Sequence, residues 1–253
     1  MKVWRRFFEG LLDIVYPPMP LCIVCGQQVR QHTHSRADQL CEGNRVLCKM
    51  CEQQFAFISG VICSICGRPW SSEETCIDCI RRKEQPFLHS RSAVRYNDQM
   101  KQNMAQYKYR GDRKLGEVMA YLLWRAWRIH YDAMKVDMIT YIPLHEERLY
   151  ERTFNQAEEM AQLLGERVDV PVHGLLQRKK STEKQSKKDR VMRLQAMRNV
   201  FVFANEDGVS LPECPVVVLV DDVYTTGTTI AEASCAIKKA MPDAQLYGLT
   251  VAR

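Results

Sequence analysis

The chain reads as an α/β protein: a parallel sheet flanked by helices, preceded by a small Cys-rich zinc-binding domain. Three observations predict this. Short apolar runs with a β-branched bias alternate with amphipathic helical segments over the last two thirds of the chain. One of these runs, Val216–Val220, is apolar at every position, as in a strand buried on both faces. Nine of the eleven cysteines lie before residue 80, and eight of those form four Cys-x-x-Cys pairs.

The cysteine pairs come first. Cys22/Cys25, Cys48/Cys51, Cys63/Cys66 and Cys76/Cys79 each place two thiolates on one tight knuckle, and Gly26 and Gly67 follow where such a turn needs a positive φ. Tetrahedral zinc takes four such ligands, so four pairs predict two all-cysteine zinc sites. A disulfide framework fits poorly with a chain that shows no signal-peptide core, since cytosolic thiols stay reduced. Sequential pairing and a cross-brace of Cys22/Cys25 with Cys63/Cys66 both satisfy the spacing. His32, His34 and Cys41 stand in the long polar gap, as substitute ligands or as a solvated loop. Cys214 and Cys235 are remote and read as small apolar residues.

The module's boundary is expected in the charged stretch Ile80–Ser90, giving residues 1–90 as the zinc-knuckle domain and 91–253 as the α/β domain. Beyond it, Asn97–Tyr107 and Leu115–His130 have helical spacing. Val136–Ile142 reads as a strand ending at Pro143, and Asn155–Leu164 as an amphipathic helix capped by its Asn. Val200–Ala204 and Gln245–Ala252 complete the set of short strands. In such a sheet ligands lie at the carboxyl ends of the strands.

The strand from Val216 ends there on two acids, Asp221 and Asp222. Thr225, Thr226, Gly227, Thr228 and Thr229 follow, and Ile230–Met241 resumes helical spacing. A Gly/Thr turn opening a helix gathers free N–H groups and hydroxyls around one point, which makes a phosphate cradle. The carboxylates are placed to accept hydrogen bonds from hydroxyls such as those of a ribose.

The run VVVLVDDVYTTGTT resembles the ribose-phosphate loop of type I phosphoribosyltransferases. The resemblance implies that the acids bind the ribose hydroxyls of phosphoribosyl pyrophosphate (PRPP), and that Thr225–Thr229 bind its 5′-phosphate. Mg²⁺ would bridge the diphosphate. The series of Cys-x-x-Cys knuckles, YKYRGD (Tyr107–Asp112), YIPLHEERLYERTFNQ (Tyr141–Gln156) and VDDVYTTGTT is similar to the ComF competence family, ComFC type, over nearly the whole chain. That resemblance implies a type I phosphoribosyltransferase-like domain and a role in natural transformation, with single-stranded DNA handled during uptake on the cytoplasmic side of the membrane. It also implies partners among DNA-uptake helicases and recombination mediators. Thr153 departs from the family, which has Gly in an RGFNQ motif.

The resemblance also assigns weights to other residues. His145, Arg148 and Arg152 occupy the position of a pyrophosphate loop, or are surface charges of a helix. Lys108 and Arg110, with Asp112, line the same pocket or end a helix. In purine transferases an Asp assists the base where this chain has Thr225, so purine-type transfer is disfavoured. Transfer to an unidentified small-molecule acceptor stays open as an alternative.

The net charge of +6 equals that of one segment, Arg178–Arg193, which holds Arg178, Lys179, Lys180, Lys184, Lys187, Lys188, Arg190 and Arg193. Three readings stand: a solvated loop, a hood over the active site, or a contact with DNA phosphates. At the other end, Val3, Trp4, Phe7, Phe8, Leu11, Leu12 and Val15 recur at helical spacing among Lys2, Arg5 and Arg6. Such a helix packs on the zinc module or lies at the inner face of the membrane.

Overall fold

The computed structural model describes residues 21–29, 45–72, 74–82, 85–110, 113–179, 200–205 and 208–253; for Arg45, Val46 and Arg110 only the backbone is described. The N-terminal amphipathic segment, His32, His34, Cys41, Asp112, Lys180, Lys184, Lys187, Lys188 and Arg190 lie outside the described residues. Two compact units divide the chain after Gln54.

The first unit carries Cys22, Cys25, Cys48 and Cys51. Strand β1 (Leu21–Cys22) pairs in parallel with β2 (Arg45–Val46), and helix α1 (Lys49–Gln53) follows. Gly26, at φ 71°, donates its N–H to the Cys22 carbonyl and closes the first knuckle.

The second unit, Phe55–Arg253, contains the other four paired cysteines as well as the sheet. Its elements run α2 (Ile77–Ile80), β3 (His89–Val94), α3 (Asp98–Arg110), α4 (Lys114–His130), β4 (Met138–Tyr141), α5 (Glu146–Arg152) and α6 (Gln156–Val168). Then come β5 (Leu176–Arg178), β6 (Phe201–Phe203), β7 (Val216–Val223), α7 (Thr228–Ala240) and β8 (Gln245–Ala252). The main sheet has the order β3-β8-β7-β4, and every pair in it is parallel. All four strands therefore deliver their carboxyl ends to one edge.

Strand β7 shows why its sequence is apolar without alternation. Val217 and Leu219 point into the layer with Ile230, Ala233 and Ile237 of α7, whereas Val218 and Val220, equally buried, point the opposite way. On that second face α4 packs against β3 and β8, and α6 packs against β4 and β7. Asn155 caps α6 as its sequence predicts: Oδ1 accepts from Ala157 N at 3.1 Å, and Nδ2 donates to the Ile142 carbonyl at 3.2 Å.

One expectation needs correction. The run at Val200–Ala204 does not join the parallel sheet. It forms β6, paired antiparallel with β5 in a separate ribbon that packs on α7. Strand β3 begins at His89, at the end of the charged stretch Ile80–Ser90. Its core positions are polar: Ser92 Oγ and Thr250 Oγ1, both fully or nearly fully buried, share a hydrogen bond of 2.7 Å, whereas the buried Ser90 Oγ has no hydrogen-bond partner among the described residues.

Candidate functional site

The two cysteine groups fit two metal ions. Within Cys22/Cys25/Cys48/Cys51, and again within Cys63/Cys66/Cys76/Cys79, the sulfurs all lie within 4.8 Å of one another. The grouping is sequential, so the cross-brace is not formed. Cys25 Sγ and Cys48 Sγ are 3.8 Å apart, and Cys66 Sγ and Cys76 Sγ 3.7 Å. A tetrahedron with metal–sulfur bonds of about 2.3 Å has an edge of about 3.8 Å, so this is zinc spacing rather than disulfide spacing. No disulfide joins the described cysteines. Backbone N–H groups turn toward the sulfurs: Cys48 N to Cys22 Sγ at 3.4 Å, and Cys76 N to Cys63 Sγ at 3.2 Å. Burial pushes the Cys63 thiol up, but the N–H groups of Cys76, Cys66 and Ile65 outweigh it and hold the group at about 6. Zinc here supplies a structural cross-link.

The second cysteine group is built into the core of the α/β unit. Its four cysteines are buried in one cluster with Phe87, Leu219, Tyr224, Ile230 and Ala233. Ser90 N donates to the Ile65 carbonyl at 2.7 Å, and Arg91 Nη2 to the Ser64 carbonyl at 3.0 Å, tying this knuckle to β3. Arg253 donates to the Cys66 carbonyl while its guanidinium lies 4.9 Å over the Tyr224 ring.

At the carboxyl end of β7, Asp221 and Asp222 stand side by side, and Asp222 N donates to Asp221 Oδ1 at 2.8 Å. The turn then passes exposed Thr225 and Thr226 to Gly227, which takes φ 77° and caps α7. A Cβ on Gly227 would overlap the Tyr224 hydroxyl, so both the positive φ and the close approach require glycine there. Thr226 Oγ1 and Thr228 Oγ1 lie 2.8 Å apart. The first N–H groups of α7 have no carbonyl within the helix to bond and carry partial positive charge, which favours an anion.

Basic residues converge on these acids from two elements, with Arg148 of α5 acting on one of them. Lys108, near the end of α3, forms an ion pair with Asp222, each side chain about a fifth exposed or less than a quarter. The tyrosines flanking it anchor the helix end. Tyr107 donates to Glu159 Oε2 at 2.7 Å and packs on Phe154, while Tyr109 lies under the Arg152 guanidinium at 5.1 Å. Arg178, at the end of β5, feels both Asp221 and Arg148: burial and the Arg148 charge push its pKa down, and Asp221 holds it up. Burial, and next the Asp222 charge, push the Asp221 carboxyl up to about 8.

His145 caps α5, accepting from Glu147 N at Nδ1, and its Nε2 is buried with no hydrogen-bond partner among the described residues. Neutral imidazole in this arrangement carries its proton on Nε2, as a donor. Arg152 turns back to Gln156 Oε1 at 2.9 Å, where it braces the loop. Thr153 takes the left-handed conformation, φ 64°, so the backbone that suits Gly is kept without glycine. Of the sequence candidates, then, Lys108, Arg148 and the acids gather at one edge. Arg178, which sequence placed in a hood or DNA loop, gathers with them. Lys179 donates its N–H to the Val200 carbonyl and continues the ribbon. No described helix is long and apolar enough to cross a membrane.

A cysteine-rich ribbon pair and a parallel α/β sheet with an acid-acid-turn-helix edge define a zinc-ribbon protein with a parallel α/β domain. The Double zinc ribbon domain family matches residues 11–80, spanning both cysteine groups. The chain is 34% identical over 225 residues to competence protein ComFC of Bacillus subtilis (strain 168), covering 87% of this chain and 89% of that protein. It is 30% identical over 226 residues to ComFC of Streptococcus pneumoniae, covering 88% and 94%, and 29% identical over 240 residues to competence protein F of Haemophilus influenzae, covering 90% and 95%. The chain belongs to the ComFC family of competence proteins. Among solved structures it is similar to adenine phosphoribosyltransferase from Saccharomyces cerevisiae (15% identity, 53% of this chain and 68% of that one, TM-score 0.32). The enzyme from Leishmania tarentolae is comparable (13%, 58% and 74%, TM-score 0.34). Likenesses this weak carry no functional conclusion.

Proposed function

We propose that this chain acts in natural transformation, binding single-stranded DNA during uptake and carrying a PRPP site in its α/β domain. The observation that carries the reading is the edge formed by Asp221, Asp222 and the Gly227 turn, with Lys108 paired to Asp222. Asp221 and Asp222 accept from the ribose hydroxyls. Thr225–Thr229 and the start of α7 hold the 5′-phosphate. Arg148, Arg178 and His145 face the diphosphate, whose Mg²⁺ neutralises the remaining charge. Lys108 offsets the charge of the two acids.

The basic segment after Arg178 supplies phosphate contacts of the DNA, and the zinc knuckles shape a binding surface of their own. Family membership supports this part of the reading, together with a position at the inner face of the membrane and partners among uptake helicases and recombination mediators. A second reading, phosphoribosyl transfer to a small-molecule acceptor, is favoured by Asp221: a carboxyl group titrating near neutrality can exchange a proton in catalysis. Acceptor-dependent pyrophosphate release would support it.

The test is fluorescence anisotropy of a labelled single-stranded oligonucleotide with zinc-replete protein, at two salt concentrations, with and without PRPP·Mg²⁺. The expected result is binding that weakens steeply with salt. No binding at low salt would remove direct DNA handling.

A further inference from the structure

The cysteine group buried in the α/β unit lies against the anion turn, and one cationic side chain reaches from one to the other. Arg82 stands three residues after Cys79, and its N–H bonds to the Cys79 carbonyl at 3.2 Å, so the knuckle fixes the root of this side chain. Its Nη1 lies 3.0 Å from the point that a Cβ on Gly227 would occupy. The Tyr224 hydroxyl crowds that same point. Tyr224 is 3% exposed, and Arg82 acts on its Oη through both its charge and a poorly aligned side-chain hydrogen bond, the hydroxyl having no partner of good geometry among the described residues. A buried phenol and a guanidinium thus both end at the glycine that caps α7.

That arrangement has a cost unless something joins the two groups. A buried hydroxyl left without a well-aligned partner is destabilising. A cation at a helix N-terminus opposes the local partial charge rather than complementing it. An anion seated on the turn removes both penalties: it takes hydrogen bonds from the N–H groups of α7 and from Tyr224, and it pairs with Arg82. A phosphate monoester suits this set of donors, having three acceptor oxygens for backbone, phenol and guanidinium.

We propose that Arg82, delivered by the second cysteine knuckle, is a ligand of the sugar 5′-phosphate, with Tyr224 beside it, so that the ribbon completes the phosphate site. This rests on the PRPP reading above. The ribbon is then part of the binding site, and Arg253, held between the Cys66 carbonyl and the Tyr224 ring, keeps the two parts in register.

The experiment compares full-length, zinc-replete wild type with Arg82→Gln, Arg82→Lys and Tyr224→Phe, by calorimetric titration with PRPP·Mg²⁺, ribose 5-phosphate and inorganic pyrophosphate. Arg82→Gln should weaken ribose 5-phosphate about ten- to a hundredfold, since it loses a charged hydrogen-bonding partner. It should leave pyrophosphate within about twofold, because that group is held at the other end of the site. Arg82→Lys should restore part of the loss, Tyr224→Phe should weaken ribose 5-phosphate severalfold, and all variants should keep two zinc ions. Equal ribose 5-phosphate affinity in wild type and Arg82→Gln would overturn the assignment while leaving PRPP binding intact. Equal losses for ribose 5-phosphate and pyrophosphate would overturn it too, as a general disturbance of the site. Wild type that binds neither PRPP nor ribose 5-phosphate would remove the PRPP reading itself, and this inference with it.

Discussion

Lys108 and Asp222 are joined by an ion pair across the edge of the sheet, and Asp221, one residue away, feels the Lys108 charge without an ion pair to a lysine among the described residues. The consequence is an unequal acid pair. Burial and the Asp222 charge raise Asp221 to about 8, well above the unfolded value of about 4. A carboxyl raised in the folded state binds more protons folded than unfolded between those values, so stability falls as pH rises from about 4 to about 8. Asp221→Asn removes this dependence. Thermal denaturation should show the variant gaining on wild type as pH rises and level above pH 8, while its PRPP affinity drops. A wild-type-like pH profile in the variant would show that Asp221 is ionised at neutrality.

Arg148 and Arg178 approach each other closely enough for one charge to lower the other's pKa. Two guanidinium groups of like charge side by side favour an anion between them. Replacing either by Gln should weaken pyrophosphate about tenfold and leave ribose 5-phosphate nearly unchanged, the reverse of Arg82→Gln. Calorimetry on both probes checks the pattern.

The two cysteine groups differ in burial: all four sulfur residues of the second group are buried, whereas Cys25 is exposed and Cys48 half-buried. Cys76→Ser should therefore lower the melting temperature of the α/β unit sharply and abolish PRPP binding, because Cys76 shares a core with Tyr224 and Ile230. Cys25→Ser should reduce bound zinc to one ion per chain and leave PRPP affinity in place. Zinc quantification by atomic absorption, beside circular dichroism melts, separates the two cases.

Thr153 holds φ 64° with no glycine, and its Oγ1 donates back to the Arg152 carbonyl at 2.6 Å. A β-branched residue in this region carries about 1–2 kcal/mol of strain. Thr153→Gly relieves it but adds unfolded-state entropy, for a net gain of about 0.5–1 kcal/mol. Denaturant titration should show the midpoint rising at constant m-value.

The site's acids, turn and helix are legible in sequence because their signals are local: a fully apolar strand, two consecutive carboxylates and a Gly/Thr turn within fourteen residues. The eight zinc-spaced cysteines are legible for the same reason, although which pairs meet depends on how the knuckles fold. What escaped were contacts made across long separations. Strand β3 has Ser and Arg where a core strand usually has apolar residues, and its place follows from the pairing with β8 and the bonds to Thr250, Ser64 and Ile65. Arg178 was read with its basic neighbours, and its place beside Asp221 follows from the β5–β6 pairing that periodicity cannot reveal. Arg82 lies in a stretch that reads as a linker, 145 positions from the glycine it approaches.

The central claim is that Asp221, Asp222 and the turn after them form a PRPP site. Isothermal titration of zinc-replete wild type and Asp222→Ala with PRPP·Mg²⁺ tests it most directly. Saturable binding by wild type, weakened at least about tenfold in Asp222→Ala with zinc still near two per chain, is the expected result. Equal affinity in both proteins would contradict the ribose role of Asp222, and absence of binding in wild type would contradict the site.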